Sequence, residues 1–193
     1  MRTTIFTLAA ACGAFIAPAL CSPTWKSWQP CPSISSEIMT DFTTTNQTRT
    51  FVENMFSAVA LDNFGQSFAQ VLSDELTWTV TGSSPIAGTY YPKSVYISQV
   101  LTPLRGVLNS LPVPIVDHIV VDGYWTTVTW HSEGVSGKNG ADYDMNYAWV
   151  MRAQPEGSAG ELKIVEVIGF YDGQKVSNVF EGYDLAALRD GTA

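Results

Sequence analysis

The chain has 193 residues, the size of one domain, with 46% hydrophobic and 15% charged residues, enough to build a packed core. Its net charge of −8 and pI near 4.5 exclude the basic face that a nucleic-acid binder needs. That apolar content also excludes a disordered chain.

The first residues read as an export signal. Arg2 supplies the positive end, Ile5–Ile16 is an uncharged apolar run, and Ala17-Pro18-Ala19 is a small-residue cleavage site. Residues 1–19 are therefore expected to be a signal peptide and the protein to be secreted, with a cut after Cys21 as an alternative. No later stretch is long enough to span a membrane, so no membrane partner is expected. Cys12 leaves with the signal. A cut after Ala19 leaves Cys21 and Cys31, able to form one disulfide in an oxidising compartment; a cut after Cys21 leaves Cys31 alone. Residues 20–45, with Pro23, Pro30 and Pro32, read as an extended lead. Asn46-Gln47-Thr48 is an N-glycosylation triplet.

Thr50–Ala60 carries Phe51, Met55 and Val59 on one helical stripe with Val52, Phe56 and Ala60 beside it. Asp62 or Asn63 can cap a second short helix bearing Phe64 and Phe68. Leu76–Thr81 alternates as a strand does. Lys93–Leu111 repeats apolar residues at three and four, with Pro103 inside it as a kink or a restart point. Strands follow at Ile115–Val121, Tyr124–Val135, Tyr143–Ala153 and Leu162–Tyr171. Asp122-Gly123, Asn139-Gly140 and a Gly-rich loop join them as hairpins. The predicted order is helices, one strand, a helix, then a four-stranded meander, an α+β layer fold. A short helix is expected within Gln174–Leu188, and residues 183–193 read as a tail.

Three segments carry a family likeness. Trp78-Thr79-Val80-Thr81-Gly82-Ser83-Ser84-Pro85-Ile86-Ala87-Gly88-Thr89-Tyr90 leaves the first strand, Asn139-Gly140 precedes Tyr143 and Tyr147, and Lys163-Ile164 leads to Tyr171-Asp172. In this order they resemble the SnoaL-like branch of the NTF2-like superfamily, with the domain covering residues 46–182. The resemblance implies a cone: a curved antiparallel sheet wrapped around N-terminal helices, enclosing an apolar cavity. It also implies a homodimer through the sheet's outer face.

The resemblance leaves three functions open: a cofactor-independent isomerase, cyclase or dehydratase acting on a hydrophobic small molecule; a non-catalytic small-molecule binding protein; or a secreted interaction protein. For acid–base chemistry His131 is the expected catalytic residue, being a neutral-pH proton carrier inside an apolar strand. Asp117 and His118, as neighbours on a strand, are expected on opposite faces. Where relatives use a carboxylate on the last strand, this chain has Gly169, which argues against their chemistry. Trp78, Val80, Tyr147, Trp149, Val167, Gly169 and Tyr171 are the expected cavity residues, with Tyr90 and Tyr91 extending the aromatic wall. Asp144 and Asn146 are polar cavity candidates if their parity faces inward. No nucleotide, metal or redox motif is present, so no cofactor or metal is indicated.

Overall fold

The computed structural model describes residues 36–191. The expected signal segment and the Cys21–Cys31 pair lie outside them. Helix α1 (Ser36–Asp62) takes in the end of what the sequence suggested as an extended lead. After Pro32 no proline occurs until Pro85, so nothing interrupts the helix through the Thr50–Ala60 stripe. That stripe buries Val52, Met55, Phe56 and Val59. The Asp62 carboxylate accepts the backbone N–H groups of Gly65 (3.1 Å) and Ser67 (2.7 Å), and so turns the chain into α2 (Gln66–Val71). Asn63 and Phe64 in this turn both sit in the left-handed region, at φ 55° and 57°.

Strand β1 (Leu72–Val80) pairs with the short β2 (Gly88–Tyr90). The next helical region is three pieces: α3 (Lys93–Tyr96), a π-helical stretch Ile97–Leu101, and α4 (Thr102–Val107) with Pro103 in its first turn. The widened turn absorbs the hydrogen bond that Pro103 cannot make. Strands β3 (Ile115–Asp122), β4 (Trp125–His131), β5 (Asn146–Glu156) and β6 (Glu161–Phe170) form the expected antiparallel meander. The sheet order is β2-β1-β6-β5-β4-β3.

Two features correct the expectation. The curved sheet is mixed, because β1 lies parallel to β6, with Trp78 opposite Val167 and Val80 opposite Gly169. No hairpin ties these two strands; helices and four strand lengths intervene, so antiparallel pairing is not enforced. The segment expected as a tail (183–193) also contains a helix within its described part. After α5 (Gly173–Phe180), helix α6 (Leu185–Asp190) is capped by Asp184 and buries Leu188 against Gly106. A methyl group at Gly106 would stand 2.6 Å from the end of the Leu188 side chain, which would have to shift to admit it.

The core lies between the inner sheet face and the helices. On β4 the inner parity is Thr126, Val128 and Trp130, and on β5 it is Tyr147, Trp149, Met151 and Ala153.

Candidate functional site

The inner face is built of aromatic rings. Trp130 stacks on Tyr147, with ring centres 3.6 Å apart and planes 5° from parallel. Trp78 stacks on Tyr96 at 4.1 Å. Trp149 meets Trp78 and Trp130 edge-on, at 5.1 and 5.2 Å, and also contacts Phe56, Phe64 and Phe68. Such edge and offset arrangements are the favoured ones for rings with a negative face and a positive rim.

These rings nearly fill the space between sheet and helices. Among them lies a pocket of about 40 Å³. A space of that size suits a few waters or a compact molecule. Its floor is Trp130, Tyr147, Trp149 and Tyr171 from the sheet side. Its walls are Phe64 before α2, Val80 on β1, and Tyr96, Val100, Leu101 and Leu104 on the segmented helix. Tyr143 enters from the loop before β5.

That loop is held in place by its own polar groups. The Asp144 carboxylate accepts the N–H groups of Gly134 (2.7 Å) and Val135 (2.8 Å). Lys175 on α5 donates to the Asp142 carboxylate (2.8 Å) and to the Asp144 carbonyl. Asp144 thus positions Tyr143 and does not itself face the pocket.

Four phenols face this small space. Tyr171 accepts a hydrogen bond from Trp78 Nε1 at 3.3 Å, and the Trp149 N–H lies near the same hydroxyl without a bond of ordinary geometry. The Tyr147 and Ser132 hydroxyls are 3.4 Å apart. Tyr96 and Tyr143 are 3% and 2% exposed, and their hydroxyls bond to no other described residue. Burial pushes all four phenols above their ordinary pKa; the neighbouring phenols add to the effect at each except Tyr171. They therefore stay protonated and act as neutral hydrogen-bond donors. The pocket lining contains no carboxylate, imidazole, amine or thiol.

The expected cavity residues divide accordingly. Val80, Tyr147, Trp149 and Tyr171 line the pocket; Trp78 and Val167 are fully buried beside it. Gly169 is covered by its neighbour: a methyl group there would stand 2.4 Å from the Tyr171 hydroxyl. The position at which the family resemblance implied an acid is therefore covered by a phenol ring. Tyr91 is exposed and donates to Glu75, and Tyr90 donates to the Ile86 carbonyl, so neither extends the wall.

His131 does not join the pocket. It shares the outer parity of β4 with Thr127 and Thr129, where its Nδ1 is 3.0 Å from Asp117 Oδ1 and its Nε2 is 3.7 Å from Glu133. A register slip between Val116 and His118 turns Asp117 to the same side as His118, so these neighbours do not alternate as expected. His118 Nδ1 lies 3.3 Å from the Thr129 hydroxyl, and Asn146 is exposed on the outer face. The parity signal for His131 was present: Val128 and Trp130, the apolar residues around it, both have the opposite parity. Tyr96, Trp130 and Phe64 are pocket residues that the sequence reading missed. Tyr96 extends the Val100–Leu104 stripe by one turn and was findable by that spacing; Phe64 owes its place to a backbone turn with no periodic signal. Among the described residues no group of three His, Cys, Asp or Glu side chains converges as a metal site.

No family model matches the chain, and no curated protein matches it. Solved structures do. An NTF2-like protein from Burkholderia pseudomallei, of unknown function, superposes with a TM-score of 0.55 at 15% identity, covering 72% of this chain and 98% of that one. An NTF2-like protein from Burkholderia thailandensis gives 0.53 at 20% identity, covering 67% and 95%. An NTF2-like protein of unknown function from Pseudomonas putida gives 0.50 at 13% identity, covering 67% and 87%. The fold is NTF2-like, and at these identities the likeness concerns fold and not activity.

Proposed function

We propose that the chain is a secreted SnoaL-like protein whose pocket binds, without converting, a compact neutral molecule that carries a hydrogen-bond acceptor. One observation carries this reading: four protonated phenols converge on an apolar pocket that has no group able to take or give a proton near neutral pH. General acid–base catalysis needs such a group within reach of the reacting atom. A carbonyl oxygen is the acceptor these donors suit. The effects that hold the phenols neutral also oppose a buried anion.

Cyclohexanone and its hydrocarbon counterpart methylcyclohexane test the binding, read through the fluorescence of the pocket tryptophans. The ketone is expected to bind, and Tyr96→Phe with Tyr143→Phe to weaken it about tenfold, the worth of one or two hydrogen bonds. The hydrocarbon is expected to respond equally in both proteins. Equal ketone binding by both proteins would refute the donor assignment.

Residues 1–19 as a signal peptide, a glycan at the exposed Asn46 and a Cys21–Cys31 disulfide belong to the same proposal. Intact mass and N-terminal sequencing of protein from a culture medium test all three. A second reading, an interaction surface serving a homodimer, is favoured by Val120, Trp125 and Phe170, which stand exposed on the outer sheet face. Light scattering during size exclusion, with Trp125→Glu as the disrupting variant, tests it.

A further inference from the structure

A second cavity lies directly behind the wall of the first. It is a cleft of about 300 Å³ between α2 and the π-helical stretch, lined mainly by Phe64, Phe68, Ala69, Leu72, Ile97 and Leu101, with Arg105 at its rim. Phe64 and Leu101 alone line both this cleft and the phenol pocket. They are the partition between a space too small for most ligands and one several times larger.

Both halves of the partition are built on irregular backbone. Phe64 and its neighbour Asn63 hold left-handed conformations that ordinary residues adopt at a cost and that recur at ligand clamps. Leu101 closes the π-helical stretch, a widened turn also frequent at functional sites. A single side-chain bond holds the Phe64 backbone from the opposite wall: Arg105 Nη2 donates to its carbonyl at 2.6 Å. The cleft itself is apolar. The charged groups near it are Arg105, Asp62 and Lys93; the Asp62 carboxylate is already engaged by Gly65 and Ser67, and Lys93 donates to the Ala69 and Leu72 carbonyls and pairs with Asp74 at 2.6 Å.

We propose that pocket and cleft are the two ends of one binding site for an elongated neutral molecule, with its carbonyl oxygen at the phenols, its aliphatic tail in the cleft, and Phe64 as the movable partition between them. This rests on the binding function proposed above and adds the ligand's shape. A short ligand occupies the phenol end with the partition closed. A longer one displaces the Phe64 ring into the cleft's free volume and extends past Leu101.

The test is a series of straight-chain methyl ketones from butanone to decanone, titrated by tryptophan fluorescence. In the unaltered protein, affinity should continue to rise to the longest members, by about fourfold for each methylene taken from water. Ala69→Trp fills the cleft from its outer side without touching the phenols. It should leave the short ketones unchanged and abolish the gain for the long ones. Phe64→Gly removes the partition, keeps a residue suited to positive φ, and should speed association of the long members; should it fold poorly, Leu101→Ala serves the same purpose. An affinity that stops rising at the short members, or long-chain binding that Ala69→Trp does not alter, overturns the two-ended site and leaves the phenol pocket standing. Failure of every ketone to bind overturns both.

Discussion

The two faces of the sheet differ in kind although the same strands supply them. On β4, Val128 and Trp130 point inward to an aromatic stack, while Thr127, Thr129 and His131 point outward to Asp117 and solvent. On β5 and β6 the inner residues are Tyr147, Trp149 and Val167, and the outer ones include Arg152 and Glu166, paired at 3.1 Å. Ionisable groups thus stand outside and neutral donors inside. The comparison teaches that, among the described residues of these strands, the ion pairs stand on the outer face and the neutral aromatic rings on the inner one.

The contrast is broken most severely through Trp149. Trp149→Ala removes a ring in contact with five others and should cost about 3–5 kcal/mol in urea unfolding, whereas Trp125→Ala on the outer face should cost far less. A result of similar size for both would mean the inner stack is not the core. Gly169→Ala forces the Tyr171 ring away from its seat and should cost about 1–3 kcal/mol by the same measurement, with weakened ketone binding. Tyr171→Phe keeps the ring but strands the Trp78 N–H, for a loss of about 1–3 kcal/mol.

Alkaline titration sharpens the comparison further. The inner phenols are held above the ordinary value of 10.0, so the unfolded chain loses their protons first. Their contribution to stability should be complete below that value and disappear as the pH rises through their higher folded values. Tyr96→Phe and Tyr143→Phe should flatten that decline; an unchanged slope would show that these phenols are not buried donors. The smallest effect belongs to His131→Ala. It should cost less than about 1 kcal/mol and leave ketone affinity unaltered, because its pair with Asp117 is partly exposed and lies on the other face.

Much of the fold was legible because it is periodic. Alternation located β1 and β5, β-branched and aromatic content located β6, the Gly-containing turns delimited β3 and β4, and the Phe51–Val59 stripe located α1. The parallel β1–β6 pair was not legible, since no local turn encodes the partner of an isolated strand. For the site, Val80, Tyr147, Trp149 and Tyr171 were legible as cavity candidates on their strands, while the choice of inward parity on β5 was not. Their pocket was not, because its size depends on how Trp130, Tyr96 and Phe64 pack into it from three different elements. His131 has the chemistry of a proton carrier, but the alternation of its strand points it outward.

The parallel pairing of β1 with β6 also bears on how the chain assembles. The hydrogen bond from Trp78 to Tyr171 joins residues 93 positions apart. During synthesis β1 emerges with an open edge whose partner does not yet exist, and contacts of such long range close slowly. Until β6 arrives, a strand rich in threonine and leucine is available to any neighbouring chain. Its capture, rather than the strength of the finished core, is then expected to limit the yield of protein made in quantity, and slower synthesis at low temperature should raise that yield.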